Sequence, residues 1–202
     1  EEDVMKGLRY AALLLVALCV WGQTASAEAR SWELDKAHSG FYFSVGHIFS
    51  KVQGNFNEFS GDIKFDPNKP ESSSFSFEVK TASVDTNIAK RDKHLQSSDF
   101  FDAGKYPLIT FKSTSVKSVG DNVYEVTGEF TVKGEVYELV LPLTMAGVKA
   151  HPAVKGKEVI GFNGELTIDR LAYKVGNGKF ADMGVVSQNV DILVSLEALG
   201  SK

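Results

Sequence analysis

The chain has 202 residues, with 22 Lys and Arg against 26 Asp and Glu and a net charge of −4. A slightly acidic chain without a basic stripe is a poor partner for nucleic acid or for an acidic membrane surface. The only cysteine, Cys19, lies in an N-terminal apolar run, which removes disulfides, thiol nucleophiles and thiolate ligands from everything after it.

That run extends over residues 10–21, after Lys6 and Arg9 and before Ala25-Ser26-Ala27. It is shorter than the roughly 18 to 20 apolar residues of a membrane span, and the order basic, apolar, Ala-x-Ala is that of a secretory signal peptide. Residues 1–27 are therefore expected to be a signal peptide cleaved after Ala27, with Met5 as initiator because acidic residues precede it. Leu18 stands where lipid attachment to Cys19 would want a small residue. The remainder, 28–202, has the size of one domain, and no linker, repeat or low-complexity tract divides it.

Alternation of apolar and polar residues then dominates. Runs near 32–35, 39–47 and 51–66 come first, followed by a turn cluster at 66–73 and a run at 74–83; one of the long runs is expected to bend. Phe41, Phe43 and Val45 keep one parity, as do Phe75, Phe77 and Val79. Between 87 and 99 the alternation stops: Ile88, Asp92, Leu95 and Asp99 share a helical face too polar for a core, which predicts a short surface helix. Runs resume at 108–117 (Ile109, Phe111), 122–132 (Tyr124, Val126, Phe130, Val132) and 135–147, with Lys133-Gly134 as a hairpin break. The last two are 158–169 (Ile160, Phe162, Leu166, Ile168) and 187–198 (Val190, Ile192, Val194, Leu196).

Each run has one greasy and one wet face, the pattern of an all-β antiparallel sheet of eight or nine strands. The phenylalanines 41, 43, 75, 77, 111, 130 and 162 are expected to face inward, and Ser74, Ser76, Glu78 and Lys112 outward. Such a sheet packs on another or closes into a barrel, and an eight-stranded barrel is either filled by side chains or holds one small ligand. Gly128 and Gly164 lie on the apolar parity, where glycine marks a bend or leaves room for something else.

At the helix the sequence carries Arg91-Asp92-Lys93-His94-Leu95-Gln96-Ser97-Ser98-Asp99-Phe100-Phe101-Asp102, then Tyr106-Pro107-Leu108-Ile109-Thr110-Phe111-Lys112-Ser113. Together with His38-Ser39-Gly40-Phe41-Tyr42-Phe43-Ser44-Val45-Gly46-His47, Val52-Gln53-Gly54-Asn55-Phe56, Gly61-Asp62-Ile63-Lys64-Phe65-Asp66, Gly128-Glu129-Phe130-Thr131-Val132-Lys133-Gly134 and Ile168-Asp169-Arg170, it resembles the YceI family of secreted polyisoprenoid-binding proteins, from about Trp32 to Ala198. After Arg170 the chain departs from the usual aromatic and glycine, reading Leu171-Ala172-Tyr173-Lys174-Val175.

The resemblance implies an eight-stranded, lipocalin-like antiparallel barrel with an elongated apolar pocket for a prenyl quinone or polyprenyl phosphate, a periplasmic location, and homodimers in some relatives. A fatty acid or amide fits the same greasy tunnel. The expected lining is Phe41, Phe43, Val45, Phe75, Phe77, Val79, Phe111, Val126, Phe130, Ile160, Phe162 and Val194, with space at Gly128 and Gly164. Arg91, His94 and His47 are candidates for the mouth or a head-group contact. No cofactor or metal is expected.

Two other classes compete. For an enzyme, His38, His47, His94 and His151 show no zinc-binding spacing, no Gly-x-Ser-x-Gly elbow or phosphate loop exists, and the Arg91-Asp92-His94 trio reads as an ion-pair network holding a helix to a barrel rim. For a solid-core interaction module, the wet faces are ordinary polar mixtures and nothing in them marks a partner surface.

Overall fold

The computed structural model describes residues 29–202, so the expected leader, its cleavage point and Cys19 lie outside the described residues. The alternating runs form β1 (Arg30–Leu34), β2 (Gly40–His47), β3 (Ser50–Phe56), β4 (Phe59–Phe65), β5 (Ser74–Lys80), β6 (Val84–Asp85), β7 (Leu108–Gly120), β8 (Val123–Val132), β9 (Glu135–Ala150), β10 (Lys157–Asp169) and β11 (Val186–Ser201). All neighbours are antiparallel, and pairing of β1 with β11 closes the ring into an eight-stranded barrel.

Three of the eight strands are broken by corners. Residues 35–39 separate β1 from β2, residues 57–58 bend the long run into β3 and β4, and a 3-10 turn at Thr81–Ser83 separates β5 from β6. Short hydroxyl contacts hold the corners: Ser39 Oγ donates to the Glu197 carbonyl at 3.1 Å, and Ser83 Oγ donates to the Lys80 carbonyl at 2.7 Å while accepting from the Glu58 N–H at 3.0 Å. Two of the hairpins use mirror-image turns. Asp121 and Asn122 (φ 47° and 62°) join β7 to β8, and Lys133 and Gly134 (φ 50° and 75°) join β8 to β9, the positive angles these turns demand.

Beyond the corners the barrel parts along two seams. β6 pairs with β3 but not with β7, and the gap is filled by helix α1 (Ala89–Gln96) and residues 97–107. Gln96 Nε2 donates to the Ala82 carbonyl at 2.9 Å, and Thr81 Oγ1 to the Tyr106 carbonyl at 2.8 Å. The helix falls inside the expected 87–99 segment, and none of its residues is fully buried. The second seam runs between β9 and β10, whose ladder extends only from Glu158↔Ala150 to Asn163↔Thr144. Past that point the Pro142 carbonyl points at Gly164, so the missing Pro142 N–H faces the seam, where no ladder bond is lost.

The expected facing holds. Phe75, Phe77, Val79 and Phe111 are buried, Ser74, Glu78 and Lys112 are exposed, and Ser76 is half-buried. Aromatic rings fill the end of the barrel below the corners: Phe65 meets Tyr124 and Phe162 edge-on at 4.9 Å each, and Phe75 meets Phe162 at 5.3 Å. Trp32 covers this end, its indole N–H donating to the Phe65 carbonyl. The divergent crossover after β10 forms a loop and a short helix α2 (Lys179–Asp182) over the opposite end.

Candidate functional site: an apolar cavity above the corners

Above the corners the same inward alternation encloses empty space of ≈ 200 Å³. That is more than ten times the room one water needs, in a place lined by hydrocarbon. Phe41 forms part of its floor, edge-on to Phe77 at 5.4 Å and Phe59 at 5.2 Å. Its walls are β-branched and leucine side chains, among them Val45, Ile109, Leu139, Leu166, Ile168 and Ile192, all half-buried although they point inward. An inward side chain stays half-buried only where nothing opposite fills the space.

Loop aromatics close the top. Phe101 packs edge-on to Phe56 at 5.7 Å, and Phe100 stacks on Phe180 at 6.1 Å. At the second seam Tyr173 lines the cavity and packs on Phe130 at 5.4 Å and Tyr137 at 4.8 Å, while Lys174 pairs with Glu135 beside it.

The structure divides the expected lining in two. Phe41, Phe43, Val45, Phe77, Val79, Phe111, Phe130 and Val194 line the cavity. Phe75, Val126, Ile160 and Phe162 face inward but lie in the filled end, where they are 0 to 1 % exposed. The two glycines are a correction as well. A Cβ at Gly128 would stand 2.5 Å from the Lys112 carbonyl oxygen, and one at Gly164 2.5 Å from that of Pro142. They allow strands to cross closely and leave no room for a ligand.

None of the three mouth candidates reaches the cavity. Arg91 Nε donates to Thr86 Oγ1 and its Nη2 to the Thr86 carbonyl, both at 2.7 Å, while Asp92 accepts from the Thr86 N–H at 2.8 Å. His94 Nε2 meets Asp99 at 3.2 Å and lays its ring edge-on to Phe100 at 5.1 Å, so Arg91 and His94 hold α1 and the residues after it in place. His47 is half-buried in the stem of the β2–β3 hairpin.

Arg170 was not anticipated. It borders the cavity at 5 % exposure, donating Nε to the Ser187 carbonyl at 2.9 Å and Nη1 to the Val175 carbonyl at 2.8 Å. Burial lowers its pKa from the ordinary arginine value, opposed by neighbouring Asp169, and backbone carbonyls accept from three of its five N–H groups. Its signal lay in the Ile168-Asp169-Arg170 run, where a charge ends an apolar strand. Phe100, Phe101 and Tyr173 sit in loops without alternation and had no periodic signal at all.

Among the described residues one trio could hold a metal ion: ligand atoms of Asp35, His38 and Glu197 lie within 4.8 Å of one another. It is on the outside, at the β1–β2 corner, and the 2.8 Å hydrogen bond between Asp35 and His38 accounts for its geometry.

A closed eight-stranded antiparallel barrel, filled at one end and hollow and apolar at the other, defines a container-type β-barrel. The model of the YceI-like domain matches residues 32–198, and the chain belongs to that family. It is similar to Protein YceI of Escherichia coli, 35% identical over 199 residues that cover 97% of each chain. Among solved structures it is similar to BcnA of Burkholderia cenocepacia, with a TM-score of 0.73, 31% identity, and coverage of 82% of this chain and 99% of that one. A polyisoprenoid binding domain from Saccharophagus degradans shares the fold at a TM-score of 0.61 with 14% identity, over 87% of this chain and 100% of that one.

Proposed function

We propose that the hollow end binds the tail of a long-chain apolar lipid, a polyisoprenoid such as a prenyl quinone or polyprenyl phosphate, and that the protein carries or sequesters it without chemical turnover. The observation that carries this reading is a cavity whose lining, apart from Arg170 and the tyrosines, is pure hydrocarbon, although a barrel of this size could have been filled. The S. degradans neighbour, a polyisoprenoid binding domain of the same fold, supports the same ligand class.

Each buried methylene contributes roughly 0.8 kcal/mol, so about ten of them give roughly 8 kcal/mol, which the cost of association largely offsets; tight binding needs a longer stretch of tail in contact with the barrel. Because the lining apart from Arg170 and the tyrosines is hydrocarbon, recognition of the tail rests on shape and apolarity. Selectivity between prenyl and other long chains, fatty acids and amides included, is then loose. The leader pattern supports export of residues 28–202, to the periplasm where an outer membrane exists. Among the described residues no helix is long and apolar enough to cross a membrane.

The test is native mass measurement of the purified protein before and after organic extraction. The expected result is one additional mass that disappears on extraction and returns when a prenyl lipid is offered in detergent. A protein that carries no extra mass and takes up none of the offered lipid overturns the reading.

A further inference from the structure

The hairpin between β2 and β3 turns through Ile48 and Phe49, which are 59% and 103% exposed. Ile48 holds a positive φ of 54°, a conformation that glycine and asparagine adopt readily and a β-branched residue adopts only under strain. The tip is nonetheless fixed: the Ile48 N–H donates to the Val185 carbonyl at 3.1 Å. Met183, 62% exposed, lies two residues from that contact and adds a third apolar side chain. All three project at the hollow end, since Val45 below the tip and Val186 beside it both line the cavity.

We propose that this tip is a membrane-contact site that enters the interfacial layer of a lipid bilayer and brings the hollow end of the barrel to the lipid surface. Its purpose rests on the reading of the cavity as a lipid container; the contact itself does not. A bilayer is the occupant that fits. Three side chains on a convex tip fall far short of the roughly 800 Å² per partner that a stable protein interface buries, whereas a bilayer requires no complementary shape. Adjacent Lys51 is engaged with Asp191 at 3.0 Å, so the contact is apolar rather than electrostatic and works on uncharged lipid.

Residues 28–202, which hold the whole closed barrel and omit the apolar 10–21 run that would itself enter a bilayer, carrying Phe49→Trp and mixed with phosphatidylcholine vesicles that contain bromine-labelled acyl chains, report the tip directly, because Trp32 is buried and stays shielded. The introduced indole is expected to shift its emission to the blue and to be quenched by the labelled lipid, at low and high salt alike. In a second measurement, Ile48→Asn with Phe49→Gly puts turn-favoured residues at the tip and keeps the thermal midpoint. Uptake of a prenyl quinone from vesicles should then slow about tenfold, while uptake from detergent micelles is unchanged. An indole that keeps its water-like emission and escapes quenching overturns the proposal, as does vesicle uptake at the parental rate in the double variant. An indole shielded without vesicles, in a chain that sediments as a dimer, also overturns it by making the tip a self-interface. Should the parent take up no quinone even from micelles while the indole still inserts, the container reading falls and the contact site stands.

Discussion

The two ends of this barrel share strands, alternation and composition, yet one is solid and the other is a cavity. Below the corners, rings on opposite walls meet edge-on at about 5 Å, as Phe65 does with Phe162 and Tyr124, and inward residues lose nearly all solvent contact. Above them the strands part along two seams, valine, isoleucine and leucine join the phenylalanines in the walls, and inward side chains such as Val45, Ile109, Leu139, Leu166 and Ile192 keep partial exposure. Whether a greasy face becomes core or container is thus decided by which side chains face each other across the barrel. Period alone does not decide it.

The sharpest way to break this comparison is to truncate one residue at each end and follow denaturant unfolding. Phe162→Ala removes a ring from the filled end and is expected to cost about 3 to 5 kcal/mol, while Leu166→Ala, facing existing space, costs about 1 kcal/mol or less. Equal losses would mean that the upper end is packed as tightly as the lower. A smaller effect tests the strand crossing between them. Gly164→Leu drives a Cβ into the Pro142 carbonyl oxygen and should cost about 2 to 3 kcal/mol, whereas Gly161→Ala makes ordinary contacts with the Ala146 methyl at 3.5 Å and the Leu196 carbonyl oxygen at 3.8 Å and should stay within about 1 kcal/mol. If Gly164→Leu left stability intact and only blocked lipid uptake, the glycine would border the cavity after all.

The smallest effect lies at the β1–β2 corner. The hydrogen bond to Asp35 raises the pKa of His38, and the same bond lowers that of Asp35. The contribution of His38 is complete below its ordinary value and is lost as pH rises through the raised one. That of Asp35 is complete above its ordinary value and is lost as pH falls through the lowered one. Between those limits the corner is at its firmest. Proton NMR of the His38 ring should show its midpoint above the ordinary value in the parent and lower in Asp35→Asn, where Glu197 at 3.9 Å still raises it; an unmoved midpoint would uncouple the pair.

Much of this architecture was legible in the sequence. The facing of Phe75, Phe77 and Phe111 followed from alternation because a strand offers only two directions, and the helix followed from the loss of that alternation. The corner at 57–58 was not marked, since Asn57 and Glu58 carry no proline or glycine and interrupt a continuous run. The division of inward residues into filled and hollow ends was invisible because Phe43 and Phe162 read alike along the chain; only register across the barrel separates them. Gly128 and Gly164 looked like spare room because a sequence does not show the carbonyl that stands against them. The Ile48-Phe49 tip did leave a trace, two apolar residues where a turn wants glycine or asparagine.

The closure of the ring has a consequence for how the protein is made. Every neighbour from β7 to β11 is joined by a hairpin or a short crossover, but β11 must also find β2 and β1, as in the pairing of Glu33 with Leu199. Contacts between residues so distant in the chain bear their loop-closure entropy before any pairing rewards it, which makes them late and slow. Until the last strand has emerged, the first waits with its hydrogen-bonding edge bare, a template for any other unpaired strand. Crowding of nascent chains, more than any weakness of the finished barrel, is where this fold is exposed to aggregation.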